Sequence, residues 1–130
     1  MQDFMLAAYT TSLSEGEAIT ALHLPQLSAQ ARWGYYKFCR KTGEFAEASC
    51  AAYFEPASAT ALIVVGALDG APVALEALAS EVARSGAAAA SEAAIDAALK
   101  ENIGQLDTLG RRMAAAAVVR CLKQAFGVQA

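Results

Sequence analysis

RWGYYKFCRKTGEFAEASCAA, residues 32–52, is the stretch whose reading decides the fold. It places Trp33, Tyr35, Tyr36 and Phe38 within six residues, sets Lys37, Arg40 and Lys41 among and after them, and then turns at Thr42-Gly43-Glu44. The spacing predicts two β-strands, Ala31–Arg40 and Phe45–Glu55, joined by that turn. On the first strand, Trp33, Tyr35, Lys37 and Cys39 share one face, and Arg32, Gly34, Tyr36, Phe38 and Arg40 share the other. Aromatics on both faces predict that both are covered. On the second strand, Ala48, Cys50, Ala52 and Phe54 alternate with Glu47, Ser49, Ala51 and Tyr53, and the small residues leave room for a helix to approach closely. Large flat side chains beside a cluster of cations suit an anionic aromatic ligand, or a partner surface that carries one. The plain alternative is a mixed strand with core aromatics inside and solvated cations outside.

Upstream of this stretch, Asp3 to Tyr9 reads as a short helical turn, and Ser12 to Gly16 reads as a turn. Glu17 to Leu24 reads as a strand stopped by Pro25, and Gln26 to Gln30 as a polar link. Downstream, Pro56-Ala57-Ser58 is a turn. Ala59 to Leu68 follows as a strand whose apolar run predicts burial on both sides. After Asp69-Gly70 the period changes. Pro72 suits the first turn of a helix in which Leu75, Leu78 and Val82 recur at helical spacing, with Gly86 as its stop. Ser91 caps a second helix carrying Ile95, Leu99 and Ile103. Asp107 caps a third that runs to Phe126, with Gly127 beyond. The expectation is one α+β domain over 1–130: a lead-in segment over 1–16, strands over 17–68 and helices over 72–126. Its antiparallel sheet of three to four strands is followed by three helices packed on one face.

The bulk properties narrow the function classes. A chain of 130 residues supports one modest core. The hydrophobic share is 56%, but alanine supplies much of it, so the larger apolar side chains must do most of the burying. A net charge of −3 disfavours nucleic acid as the main partner. No apolar run approaches the roughly 20 residues that span a bilayer. The first residues carry Asp3 where a secretory signal would be basic, so the expected compartment is the cytoplasm. Cys39, Cys50 and Cys121 are widely spaced and show none of the clustering of a metal or iron–sulfur site.

The run YYKFCRKTGEFAEAS also resembles a known signature, K-x-x-R-[RK]-x-G-[DE]-[FI]-A-x-[AV]. It belongs to the C-terminal domain of the flavin subunit of molybdenum hydroxylases, the family of carbon monoxide dehydrogenase and xanthine dehydrogenase. Other pieces agree in order. Thr11-Ser12-Leu13-Ser14-Glu15-Gly16-Glu17-Ala18-Ile19, closed by Leu24-Pro25, is similar to the family's opening segment. Val65-Gly66-Ala67-Leu68-Asp69-Gly70-Ala71-Pro72 resembles its turn after the last strand, and Asp107 to Met113 the start of its last helix, with Leu109 where a Tyr is common. The resemblance runs from about Phe4 to Phe126. It implies an electron-transfer role in which a molybdopterin subunit oxidises the substrate, an iron–sulfur subunit relays electrons and FAD delivers them to an acceptor. It also implies that Tyr36, Lys37, Arg40 and Lys41 lie on the face that closes over the flavin, with Lys37 the closest match to a basic residue near the cofactor. In that family two preceding FAD-binding lobes hold the flavin through Gly-rich loops. No G-x-G pair occurs here, so the chain alone is expected to bind FAD weakly or not at all.

The remaining candidates read as structural. His23 is the only histidine and has no second ligand or nucleophile near it in sequence. Glu44 suits a turn, accepting backbone hydrogen bonds. Arg112, Arg120 and Lys123 form a stripe on the last helix that reads as its solvated face. No nucleophile motif occurs, so no catalytic residue and no metal ligand is assigned. A second reading from another class is a stand-alone α+β interaction or dimerisation module with no redox role, and removal of neighbouring lobes favours self-association.

Overall fold

A computed structural model gives the structure of the protein and describes residues 4–127. The chain opens with a small hairpin, β1 (Met5–Ala7) against β2 (Thr10–Thr11). The helical turn expected over Asp3–Tyr9 is therefore a strand and a turn, with Tyr9 at φ 57° making the corner; Asp3 itself lies outside the described residues. Residues 12–31 follow without a helix or strand. The main sheet is antiparallel, in the order β3 (Arg32–Phe38), β4 (Ala48–Glu55), β5 (Thr60–Gly66) and β6 (Val73–Ala74). Helices α1 (Glu76–Ser85), α2 (Glu92–Asn102) and α3 (Thr108–Phe126) complete the domain. The α+β class stands, with four strands in the larger sheet.

Register explains why the helices cover only one face. One set of cross-strand rows is Gly34–Ala52–Ile63, Tyr36–Cys50–Val65 and Phe38–Ala48. Its Ala48, Cys50, Ala52, Ile63 and Val65 are all in the core with Leu75, Leu78, Val82, Leu99 and Val118. The small residues of β3 and β4 sit where α3 crosses, and the larger Ile63 and Val65 sit on the neighbouring strand. On α3 the buried positions Ala117, Cys121 and Ala125 recur every four residues, a small-residue stripe that lets the helix axis come close. At Gly34 this approach is closest: a Cβ would lie 2.1 Å from the carbonyl oxygen of Cys121 and 3.1 Å from the nitrogen of Ala125. Glycine is required there by space, not by conformation.

Local chemistry sets the helix ends. Ser91 Oγ accepts the Ala94 N–H and Asp107 Oδ1 accepts the Gly110 N–H, the expected caps. Gly86 at φ 75° and Gly127 at φ 68° end α1 and α3.

Three further expectations are corrected. Glu17–Leu24 is not a strand; every residue from 12 to 27 is exposed, and residues 18–24 make no hydrogen bond among the described residues. The fourth strand of the sheet is instead the two-residue β6. Pro72 does not open a helix: it precedes β6, and α1 begins at Glu76, with the Leu75 N–H bonded to the Ile63 carbonyl (2.9 Å) and holding the helix start to β5. Finally, the apolar run of β5 is buried on one side only. Ile63 and Val65 face the helices, whereas Leu62 is 39% exposed and Val64 half-buried on the open side. The other open-face rows, Trp33–Tyr53–Leu62 and Tyr35–Ala51–Val64, likewise lack a cover, and Trp33 is 70% exposed.

The segment from 12 to 31 is tied down at its end. The Ser28 N–H and Oγ–H donate to the two carboxylate oxygens of Glu55 (2.7 Å each), and the Ala57 N–H adds a third bond at 3.1 Å. The backbone bond from Ser28, then its hydroxyl, then Ala57 hold the Glu55 carboxyl below the usual 4.5. A depressed folded-state pKa stabilises the folded form above the ordinary carboxylate range, and that contribution is lost as pH falls through the lowered value. Acidification through that lowered value should therefore release the Ser28 amide, seen as an NMR shift that titrates below the ordinary carboxylate range in the native chain and is absent in Glu55→Gln. An Ser28 amide indifferent to both pH and the substitution would contradict the clamp.

Candidate functional site

The turn between β3 and β4 is the end of the sheet where charge and aromatic surface meet. Gly43, at φ 94°, allows a tight reversal in which the Glu44 N–H bonds the Lys41 carbonyl at 3.2 Å, and the Glu47 N–H bonds the Phe38 carbonyl at 2.8 Å to restart pairing. Glu44 thus uses its backbone donor in the turn, and its side chain projects into solvent.

The four residues singled out in the sequence do not form one cluster. Tyr36 and Lys37 are neighbours on a strand and point to opposite faces. Tyr36 is on the helix side, where its hydroxyl is hydrogen-bonded to Arg120 and the guanidinium sits 4.9 Å from its ring centroid. Lys37 is on the open side, opposite Ser49. Arg40 is exposed and paired with Glu47. Lys41 is exposed at the turn and, like Lys37, makes no ion pair among the described residues. Lys37 and Lys41 are therefore the cations free to meet an anion, while Tyr36 and Arg40 are engaged within the domain.

Two aromatic residues complete this end. Phe45 meets Tyr9 edge to face, ring centroids 6.2 Å apart, and both rings are largely exposed. With Ser49, Leu68 and Asp69 they line an open groove of about 450 Å3, a size that takes a ring system. Ser49 links the groove to the row containing Lys37. The sequence reading missed Tyr9 because its role depends on the β1–β2 hairpin folding back. Phe45 lies inside the signature and was visible there as an apolar residue directly after a polar turn. Arg120 belongs to the basic stripe of α3, and only the packing of α3 on β3 shows that it reaches Tyr36; Arg112 and Lys123 remain on the solvated side.

Other chemistry-bearing residues do not gather. Cys50 and Cys121 are both fully buried between β4 and α3, and the Cys121 thiol donates to the Gly34 carbonyl at 3.1 Å. The hydrogen bond with Cys121, then burial, push the Cys50 thiol far up, which keeps it protonated and unreactive. His23 is exposed on residues 12–31, and Asp96 pairs with Lys100 at 2.6 Å. Among the described residues no group of three or more His, Cys, Asp or Glu is placed to hold a metal, and no helix is long and apolar enough to cross a membrane.

No family model matches the chain. Its fold superposes on a chain of carbon monoxide dehydrogenase from Oligotropha carboxidovorans with a TM-score of 0.76 at 21% identity, covering 98% of this chain and 48% of that one. Carbon monoxide dehydrogenase from Hydrogenophaga pseudoflava gives 0.72 at 25% identity, covering 98% and 48%. Quinoline 2-oxidoreductase from Pseudomonas putida 86 gives 0.71 at 21%, covering 97% and 47%. The chain thus spans about half the length of the solved chains it matches. These matches define the class: an α+β domain of the type built into these dehydrogenases. In sequence, the carbon monoxide dehydrogenase medium chain of H. pseudoflava is 40% identical over 48 residues, 37% of this chain and 17% of that protein. The chain is thus similar in fold, over nearly all its length, to half of a carbon monoxide dehydrogenase chain, and in sequence, over 48 residues, to a carbon monoxide dehydrogenase medium chain.

Proposed function

We propose that this domain serves in the flavin-binding subunit of a molybdenum hydroxylase-type oxidoreductase, where it helps to wall the FAD site and to assemble with the iron–sulfur and molybdopterin subunits. The observation that carries the reading is the local 40% identity to a carbon monoxide dehydrogenase medium chain, set within a fold match over 98% of this chain. The residues suit part of a flavin site. Lys37 and Lys41 are uncompensated cations at the same end of the sheet as the exposed rings of Phe45 and Tyr9, a pairing of charge and flat surface that fits an anionic aromatic cofactor. They do not suit all of it. Gly43 and Gly70 have open space around them, but they stand singly, and no pair of glycines forms a cradle for a pyrophosphate. Bound FAD would supply the electron-carrying chemistry, and this chain would contribute charge and aromatic wall. Flavin retention is the test: this chain alone should retain none, and the same 130 residues set in place of the matched half of a dehydrogenase chain should retain it.

The stand-alone interaction module keeps one observation in its favour, the open sheet face of Trp33, Tyr35, Tyr53 and Leu62. Concentration-dependent dimerisation through that face, without flavin retention in any setting, would select it over the first reading.

A further inference from the structure

Residues 18–27 make no hydrogen bond in the described structure, through backbone or side chain. Both flanks are anchored. On one side the Glu17 carboxylate accepts the Ser14 N–H at 2.7 Å, while the Glu17 N–H bonds the Ser14 carbonyl at 3.1 Å. On the other side Ser28 is clamped to Glu55. Between the anchors the composition is that of a strand: Ala18-Ile19-Thr20-Ala21-Leu22-His23-Leu24, ended by Pro25, which has no N–H to give a ladder. Ile19 is 53% exposed, Leu22 70% and Leu24 86%. In an extended conformation Ile19 would point to one face and Leu22 and Leu24 to the other, the pattern of a strand covered on both sides. A structureless stretch of this length inside a compact domain is uncommon, and apolar side chains on an unpaired backbone are the features of a segment that adds to a sheet.

Among the described residues no strand of the domain pairs with it, and the sheet's own edges are short or partly taken. The outer edge of β3 lies under α3, where the Tyr35 N–H is taken by Gln124 Oε1 at 3.1 Å. The remaining strands outside β3–β5 are two or three residues long. Two copies pairing through this segment alone would make a two-stranded ribbon, which is marginal in water. The partner must bring a sheet of its own, and the solved dehydrogenase chains that share this fold are about twice as long. Building on the medium-chain reading above, we infer that residues 18–24 pair as a β-strand with an open sheet edge in the other half of a dehydrogenase-type chain.

Hydrogen exchange tests this in two settings: the isolated chain, and the solved H. pseudoflava dehydrogenase chain with residues 1–130 replacing its matched half. The amides of 18–24 should exchange at unprotected rates in the isolated chain at every concentration, and at least about a hundredfold more slowly in the chimera. Ala21→Pro should abolish that protection in the chimera and leave the melting of the isolated chain unchanged. Open 18–24 amides in a chimera whose β3–β5 amides are protected overturn the inference. So does protection in the isolated chain, which at high concentration would name a second copy as the occupant. Flavin retention with 18–24 open would spare the functional reading and sink this one; protection at 18–24 without flavin would do the reverse.

Discussion

Gly34→Ala should cost about 3 kcal/mol or more, the upper end of what overpacking does. A single methyl at this position would lie 2.1 Å from the Cys121 carbonyl oxygen. Its neighbours are helix backbone, which cannot move aside by a rotamer change. Relief requires α3 to lift from β3, and that would also open the contacts of Ala117, Cys121 and Ala125 and strain the Tyr35–Gln124 and Tyr36–Arg120 bonds. Gly70 is the control, because a Cβ there meets nothing within 4 Å and its φ is not positive. Gly70→Ala should stay within about 0.5 kcal/mol of the parent. Urea unfolding of the three proteins side by side reads the difference. Equal midpoints for Gly34→Ala and the parent would mean that α3 does not pack as described.

Ile63→Ala should be the most costly of the simple core truncations, about 3–5 kcal/mol. Its row is Gly34–Ala52–Ile63, so two of the three members carry almost no side chain and Ile63 supplies the volume. It is 1% exposed, and its carbonyl also accepts the Leu75 N–H that starts α1. Collapse into the cavity is hindered because the small residues around it are already at the distance that the close approach of α3 sets. Leu62→Ala, one residue away on the open face, should change stability by less than about 1 kcal/mol, since its side chain keeps substantial contact with water. A domain of this size has a total stability on the order of 5–15 kcal/mol, so the first change is a large fraction of it and the second is not. Thermal melts of the pair check the contrast.

How much of this was legible beforehand depended on how local each cause is. The caps at Ser91, Asp107 and Gly127 were readable because each is a bond or a φ angle set within a few residues. The alternation of Ala48, Cys50 and Ala52 was readable because parity in a strand is intrinsic. Parity also separates Tyr36 from Lys37, which the alternation of the strand showed in sequence and the register repeats. The strand over Glu17–Leu24 was misplaced because pairing needs a second edge, and propensity does not supply one. The apolar run of β5 could not reveal one-sided burial, since Leu62 and Val64 carry the same residue types as Ile63 and Val65. The contacts Arg120–Tyr36 and Tyr9–Phe45 join residues distant in sequence and follow only from the packing of α3 and the return of the first hairpin.

The measurement that bears most directly on the central claim is the visible absorption spectrum after incubation with FAD and desalting, taken on the isolated chain and on the dehydrogenase chimera described above. On the proposed function the isolated chain is colourless and the chimera yellow with about one flavin per protein, since Lys37, Lys41 and the aromatic wall would then complete a site whose pyrophosphate cradle comes from elsewhere. A folded chimera that emerges colourless, or an isolated chain that keeps its flavin, would contradict it.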